Sequence, residues 1–175
     1  MIHLPPIPSS NGVHLLIVHI SIVLLLIAPL LVSVGALLSA PKRRAFLVTA
    51  FILMALGTGS VFIAVETGKA AGKLLGSTPL LRAVLQQHRE LAGTTQVLFS
   101  ALTMAFASLL FVPRLLRREL GLGVNAALLA AFLLFYTTGA LFLVNTAHFG
   151  GRLVHELGVK APVASSPVAT AASGD

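Results

Sequence analysis

The side chains best suited to chemistry in this sequence are its six histidines. Imidazole ligates metal ions and haem iron, and it exchanges protons near neutral pH. Five of the six lie near the ends of long apolar stretches: His14, His19, His88, His148 and His155. The sixth, His3, lies in a Pro-rich leader. Cysteine is absent from the sequence, which excludes thiolate metal sites and the cysteine attachment of c-type haem.

The apolar stretches show which elements must position these histidines. A membrane-spanning helix takes roughly 20 apolar residues, and four segments qualify, at residues 13–38, 45–65, 79–112 and 124–149. Hydrophobic residues make up 57% of the chain and charged residues only 10%, too few for the surface of a soluble domain. None of the segments alternates as a barrel strand does. We therefore predict an all-α integral membrane protein, a four-helix up-down-up-down bundle over residues 13–158.

The third segment combines a membrane span with an amphipathic extension outside the bilayer. Thr78 followed by Pro79 is typical of a helix cap and a first helical residue. The residues that follow fall on one face at helical spacing: Leu81, Val84, Leu85, His88, Leu91 and Thr95. In the preceding loop Gly68, Gly72 and Gly76 recur every fourth residue, which favours close helix approach or a flexible exit.

The basic residues predict the orientation of the bundle. The two short connections, after the first and third helices, are densely basic: Lys42, Arg43, Arg44, Arg114, Arg117 and Arg118. Such clusters favour the cytoplasmic side, so both termini are expected outside the cytoplasm. A net charge of +7 does not indicate nucleic-acid binding here, because the basic residues flank apolar segments without interleaved aromatic side chains. Residues 1–12 form the leader, and residues 159–175, rich in Ala, Ser, Pro and Thr, are predicted to be disordered.

The up-down-up-down topology places the five histidines at the extracytoplasmic end of the bundle. His14 and His19 lie about 140° apart around a helix, so a regular helix cannot direct both at one ion. His148 and His155 are about 10 Å apart along the axis, too far for one metal. Haem b suits this layout, because it takes two imidazoles from different helices with an apolar slot between them. His19, expected to be the best buried, is the first choice of ligand, with His88 or His148 as its partner, and one or two haems are expected.

Three charged residues accompany the histidines. Arg89 and Arg152 are suited to pair with haem propionates or to anchor the protein among lipid headgroups. Glu66, at the outer end of the second helix, is a candidate proton acceptor from a quinol or a partner for a histidine. The alternative for Glu66 is an ion pair with Lys69 or Lys73, about one turn away. The remaining histidines, with His14 as a further candidate for haem iron, are expected to hold a second haem, to bind propionates or to line a quinone pocket.

Four short segments resemble motifs of an uncharacterised bacterial four-transmembrane-helix family, a domain of unknown function. They are the histidine pair in residues 14–20, Thr-Gly at 67–68, His-Arg-Glu-Leu at 88–91, and the helix-four exit at 146–159. The resemblance covers about residues 13 to 159 and implies a bacterial inner-membrane protein. Ile20-Ser21 stands where the family has Phe-Pro, and the region around His155 replaces a tyrosine-containing end.

Three functions are compatible with these residues. The leading hypothesis is a b-type-cytochrome-like subunit that passes electrons near the outer face, between a quinol and another respiratory subunit or carrier, within a larger respiratory complex. The second is a non-redox structural or assembly subunit whose histidines lie at the membrane interface. The third, a small metal or proton transporter, is least favoured, because no acidic residues line the middle of the predicted spans.

Overall fold

The computed structural model describes residues 10–73, 78–117 and 121–159, and these ranges form four long helices. The helices are α1 (Ser10–Leu37), α2 (Ala40–Gly72), α3 (Pro79–Leu115) and α4 (Leu122–His155). Each is long and apolar enough to cross a membrane, and no strand occurs within the described ranges. The prediction of an all-α, multi-pass membrane bundle is confirmed. The predicted leader falls largely, and the predicted disordered tail almost wholly, outside the described residues.

The helices are longer than the apolar segments predict. The 33 residues of α2 extend about 50 Å at 1.5 Å per residue, well beyond the roughly 30 Å of hydrocarbon. Residues 66–72 of α2, which follow the apolar segment, lie at the histidine-bearing end. Gly150 and Gly151 do not end α4, which continues to His155.

The start of α3 follows the local signals in the sequence. The Thr78 side chain accepts a hydrogen bond from the Leu81 backbone nitrogen at 3.3 Å, and Pro79 occupies the first turn. Along the apolar face Val84 and Thr95 are buried and His88 is partly buried. The expected amphipathic face is thus confirmed, and it directs His88 towards the other helices.

The bundle consists of two hairpins, α1–α2 and α3–α4, joined by contacts of α2 with α3 and of α1 with α4. The diagonal pairs, α1 with α3 and α2 with α4, do not pack directly. Gly57 lies where α1 and α2 approach closely, since a β-carbon there would lie 2.8 Å from Leu25 Cγ. Gly59, two residues along, has open space around it. Stacked and edge-on rings of Phe99, Phe106, Phe132 and Tyr136 form much of the α3–α4 core.

Hydrogen bonds connect each helix to its neighbours around the bundle. In an apolar medium such bonds stabilise helix association, because an unpaired polar group has no water to bind. The pairs are Ser21–Ser60 (2.7 Å), Thr58–Thr103 (2.8 Å), Thr95–Thr146 (2.9 Å) and Tyr136 hydroxyl to Leu25 carbonyl (2.6 Å).

The last of these bonds compensates for a proline in α1. Pro29 lies inside the helix and has no N–H, so the bond that would end on the carbonyl of Leu25, four residues earlier, is missing. The buried Tyr136 hydroxyl of α4 donates to that carbonyl instead. Neighbouring helices commonly satisfy backbone groups freed by proline in membranes. Tyr136 therefore ties α4 to α1 at the point where α1 lacks an internal bond.

Candidate functional site

The five histidines of the apolar segments lie towards one end of the bundle, where α1 and α3 begin and α2 and α4 end. Their burial separates them into two groups. His14 and His88 are partly buried between helices, whereas His19, His148 and His155 are exposed. The structure therefore singles out one histidine from α1 and one from α3, which lie on diagonal helices.

His14 is held by the last turns of α2. Its Nδ1 lies 3.1 Å from the Thr67 hydroxyl oxygen. The Thr67 hydroxyl proton is directed back along α2, to the carbonyl of Ile63 at 2.8 Å or Ala64 at 3.1 Å, and the Ala64 carbonyl also lies within reach of the His14 ring. Thr67 therefore accepts a hydrogen bond from His14 Nδ1–H. The ring rests on Gly68, where a β-carbon would lie 2.9 Å from His14 Cε1.

His88 has an equivalent environment in the second hairpin. Its Nδ1 lies 3.0 Å from the carbonyl oxygen of Thr146 in α4. A carbonyl can only accept, so His88 Nδ1 carries the proton. The ring edge faces Gly150, where a β-carbon would lie 3.3 Å from His88 Cε1. Thr146 is fixed in turn by a 2.9 Å hydrogen bond between its hydroxyl and that of buried Thr95.

These bonds determine which ring nitrogen is free to act as a ligand. With the proton on Nδ1, the neutral imidazole keeps its lone pair on Nε2. Metal-bound histidines have the same arrangement, in which Nδ1–H donates to a carbonyl or another acceptor and orients the ring. His14 and His88 are also close enough to interact electrostatically. Two oriented imidazoles from diagonal helices therefore lie within electrostatic range of each other at this end of the bundle.

His19 does not have the position that the sequence predicts. It was expected to be the best-buried histidine, and this is wrong, because its side chain is exposed and its Nδ1 donates to the Leu15 carbonyl of its own helix at 2.7 Å. His148 is exposed, and its ring lies nearly perpendicular to the neighbouring Phe149 ring, with centroids 5.7 Å apart. The structure thus leaves His19, His148 and His155 on the outer surface, away from the His14–His88 pair.

The charged residues at this end have different surroundings. Glu66 pairs with Lys69 at 2.6 Å, as the alternative interpretation predicts, and both side chains are more than half exposed. Arg152 pairs with Glu156 at 2.9 Å and lies 5.5 Å from the centre of the Phe149 ring. Arg89 differs, because its guanidinium lies against Gly72 and interacts electrostatically with His88. Arg89 is thus the candidate cation that lies beside the histidine pair.

Sequence reasoning about ligands missed the residues that orient the two rings. Thr67 and Thr146 supply the acceptors, and Gly68 and Gly150 provide the space for the rings. In both hairpins a threonine and a glycine occur within one turn near the end of the second helix. The presence of a threonine followed by a glycine at both helix ends, one residue apart in α2 and four residues apart in α4, is the signal that was available in the sequence.

Neither of two cavities on the surface of the bundle is lined by a histidine. One of about 500 Å³ runs along the outer half of α3, lined by Arg89, Glu90, Gly93, Thr94, Val97 and Leu98. A second lies at the opposite end of the bundle. Within residues 10–73, 78–117 and 121–159, no three His, Asp or Glu side chains converge in a way that could hold a metal ion. The donor set found here is a pair of imidazoles.

No protein-family model matches this chain, and no curated protein or solved structure matches it significantly. The resemblance to the four-transmembrane-helix family therefore remains a prediction, and the functional argument depends on the geometry of the chain itself.

Proposed function

We propose that the protein is a membrane electron-transfer subunit of the b-type cytochrome kind, in which His14 and His88 would hold the iron of a haem. The observation that carries the proposal is the orientation of the two rings. Each donates from Nδ1 to an acceptor on the neighbouring helix, so each keeps its Nε2 lone pair for iron. This pair replaces His19, the first choice from the sequence.

The residues present suit haem in their chemistry. A b-type haem takes two imidazole nitrogens and, when bound, supplies reversible one-electron transfer. Thr67 and the Thr146 carbonyl would strengthen both ligands by accepting their Nδ1 protons. Arg89, beside His88, is placed to neutralise a propionate carboxylate. The apolar bundle would exclude water from the iron.

Haem binding between His14 and His88 would require a change in the packing of the two hairpins. The two rings rest against Gly68 and Gly150, and neither described cavity is lined by a histidine. A planar macrocycle therefore requires the two hairpins to be further apart at this end than they are in the structure. Such a separation would break contacts between α2 and α3 at this end, such as that of Arg89 with Gly72. The helices α1 and α3, which carry the two histidines, have no close backbone approach to lose.

The location of the pair suggests the reaction partners. We propose that the histidine end faces outward in a bacterial inner membrane, since the dense arginine and lysine clusters lie at the other end. A quinol in the bilayer is the proposed electron donor, and another respiratory subunit at the outer surface is the proposed acceptor. Glu66, exposed beside this end, would accept a quinol proton in this scheme.

An absorption spectrum tests the proposal directly. The protein is purified in detergent from haem-replete cells and recorded oxidised, then reduced with dithionite. The expected result is the sharp α-band of a low-spin bis-imidazole haem, lost in His14→Ala and in His88→Ala. Gln87→Ala, an exposed change beside His88, is the matched control and should retain the band. A folded, colourless wild-type protein would overturn the proposal, as would loss of the band in His19→Ala with retention in His14→Ala.

A second measurement separates a ligand-orienting role for Thr67 from simple packing. Thr67→Val keeps the side-chain shape but removes the acceptor for His14 Nδ1–H. The band should persist while the haem midpoint potential rises, because a less basic imidazole stabilises ferric iron less. An unchanged potential would show that Thr67 does not orient a ligand.

A structural or assembly subunit is the second candidate. The observation favouring it is that both buried histidines already connect neighbouring helices, His14 to α2 and His88 to α4. In that case, colourless protein should unfold more readily after either histidine is changed to alanine.

A further inference from the structure

A second cavity, unrelated to the histidine pair, lies at the opposite end of the bundle. It has a volume of about 390 Å³ and is bounded by the start of α2, the end of α3 and the start of α4. Ligand sites in proteins have volumes of roughly 300–1,000 Å³, so the cavity can hold a small headgroup. Its polar part consists of Arg43, Arg44, Arg114 and Asn125.

The arginines of this cavity have unused hydrogen-bonding capacity. Arg43 donates from Nη2 to the Leu38 carbonyl at 3.1 Å, but its Nε is buried and has no hydrogen-bond partner among the residues that the structure describes. Arg114 donates from Nη1 to the Leu110 carbonyl of its own helix at 3.2 Å. A guanidinium has five N–H donors in a planar fork that matches phosphate. A buried donor without a partner is unfavourable, so the site is incomplete without an acceptor.

The charge of the cavity is also uncompensated among the described residues. The carboxylates in the described ranges, Glu66, Glu90 and Glu156, all lie at the histidine end. Glu119 belongs to residues 118–120, outside the described ranges. The three arginines therefore form a cationic site whose chemical complement is an anion.

The rest of the lining is apolar and continues to the outer surface. Leu47, Phe106 and Leu129 are buried below the arginines. Leu128 lines the same cavity and is exposed, at 37%. The cationic part is thus continuous with an apolar surface that faces the bilayer, an arrangement that suits a charged headgroup attached to a hydrocarbon chain better than a free ion.

We propose that this cavity binds an anionic phospholipid, with the phosphate between Arg43, Arg44 and Arg114 and one acyl chain against Leu128 and the apolar lining. Basic pockets between membrane helices bind anionic headgroups in this way. Arg43 Nε donates to a phosphate oxygen and thereby gains the partner that it otherwise lacks. This inference is independent of the haem proposal and does not involve any histidine.

Native mass spectrometry of the protein in a nonionic detergent tests the site. Three probes are added separately: phosphatidylglycerol, phosphatidylcholine with the same acyl chains, and inorganic phosphate. The expected result is retention of one phosphatidylglycerol, with little phosphatidylcholine or phosphate. Arg43→Gln should lower phosphatidylglycerol retention about fivefold, the contribution of one basic residue at an anionic surface. Arg114→Gln should lower it to a similar extent, and it provides a second test if Arg43→Gln does not fold.

Arg117→Gln is the matched control, because Arg117 lies at the same end and is exposed but does not line the cavity. It should retain phosphatidylglycerol as the wild type does. An equal loss in Arg117→Gln and Arg43→Gln would show diffuse attraction and overturn the proposal. Equal retention of phosphatidylcholine, or binding of inorganic phosphate that Arg43→Gln abolishes, would overturn the assignment to an anionic lipid.

Discussion

The bond between Tyr136 and Leu25 allows a quantitative test of how this bundle is held together. Tyr136→Phe removes one hydroxyl and leaves the Leu25 carbonyl without a donor, because Pro29 cannot supply one. The ring itself should stay in place, since it packs edge-on against Phe99 with centroids 5.5 Å apart. Pro29→Ala restores the missing backbone N–H. The two substitutions should therefore be coupled, although they lie on different helices.

The expected free energies depend on whether the Leu25 carbonyl has a hydrogen-bond donor. Leaving a buried acceptor unpaired costs about 1–3 kcal/mol, while interhelical hydrogen bonds in membranes contribute about 0.6 on average and up to about 1.7 kcal/mol. Tyr136→Phe alone should thus lower the free energy of unfolding by about 1.5 kcal/mol. In the Pro29→Ala background the carbonyl has a helical donor, so the cost should fall to about 0.5 kcal/mol. The expected coupling is about 1 kcal/mol.

Unfolding with sodium dodecyl sulfate in mixed micelles, followed by far-ultraviolet circular dichroism, measures all four proteins of this cycle. Thr137→Val serves as a control for the loss of a hydroxyl, because Thr137 is exposed and bonds only the Leu133 carbonyl of its own helix. It should change the free energy of unfolding very little. Additive effects of Tyr136→Phe and Pro29→Ala would refute the reasoning, as would a Tyr136→Phe cost no greater than that of Thr137→Val.

Two further predictions use the same unfolding assay. Gly57→Ala should destabilise the protein by about 1–3 kcal/mol because its β-carbon would lie against Leu25. Gly59→Ala, two residues along and in open space, should be neutral or stabilising by up to about 1 kcal/mol. A greater loss of stability in Gly59→Ala than in Gly57→Ala would contradict the α1–α2 packing. Glu66→Gln should change the free energy of unfolding by less than about 1 kcal/mol, because its ion pair with Lys69 is exposed. A larger loss would indicate that Glu66 has a partner in the folded state beyond Lys69.

Hydropathy predicted the number and order of the helices, but not where they end. The second apolar segment stops at residue 65, whereas α2 continues to Gly72. Apolar length measures only the part of a helix that lies in hydrocarbon. The polar turns beyond it remain helical because nothing in residues 66–72 forbids helical backbone, and packing of His14 and Arg89 on Gly68 and Gly72 favours it.

The sequence predicted at which end of the bundle the candidate site lies, but not which histidines form it. The topology was enough to bring five histidines to one end, since up-down-up-down helices alternate their ends. The topology was not enough to show that His14 and His88 are the two histidines that face inward. His19 lies deeper along α1 than His14, yet depth along a helix says nothing about the direction in which a side chain points. Because α1 is apolar on nearly all sides, hydrophobic periodicity gave no indication of its inner face.

The sequence by itself determined that this chain forms four membrane helices with its histidines at one end and its densest arginines at the other. The order of apolar and polar residues along the chain is enough to predict this, because a helix of roughly 20 apolar residues matches the hydrocarbon thickness of the bilayer. Only the tertiary structure decided that His14 and His88 face inward, that the Nδ1 of each ring lies within hydrogen-bond distance of an oxygen on the neighbouring helix, and that Tyr136 binds the carbonyl freed by Pro29. These features depend on the rotation of each helix about its own axis, which is set by the contacts of all four helices together.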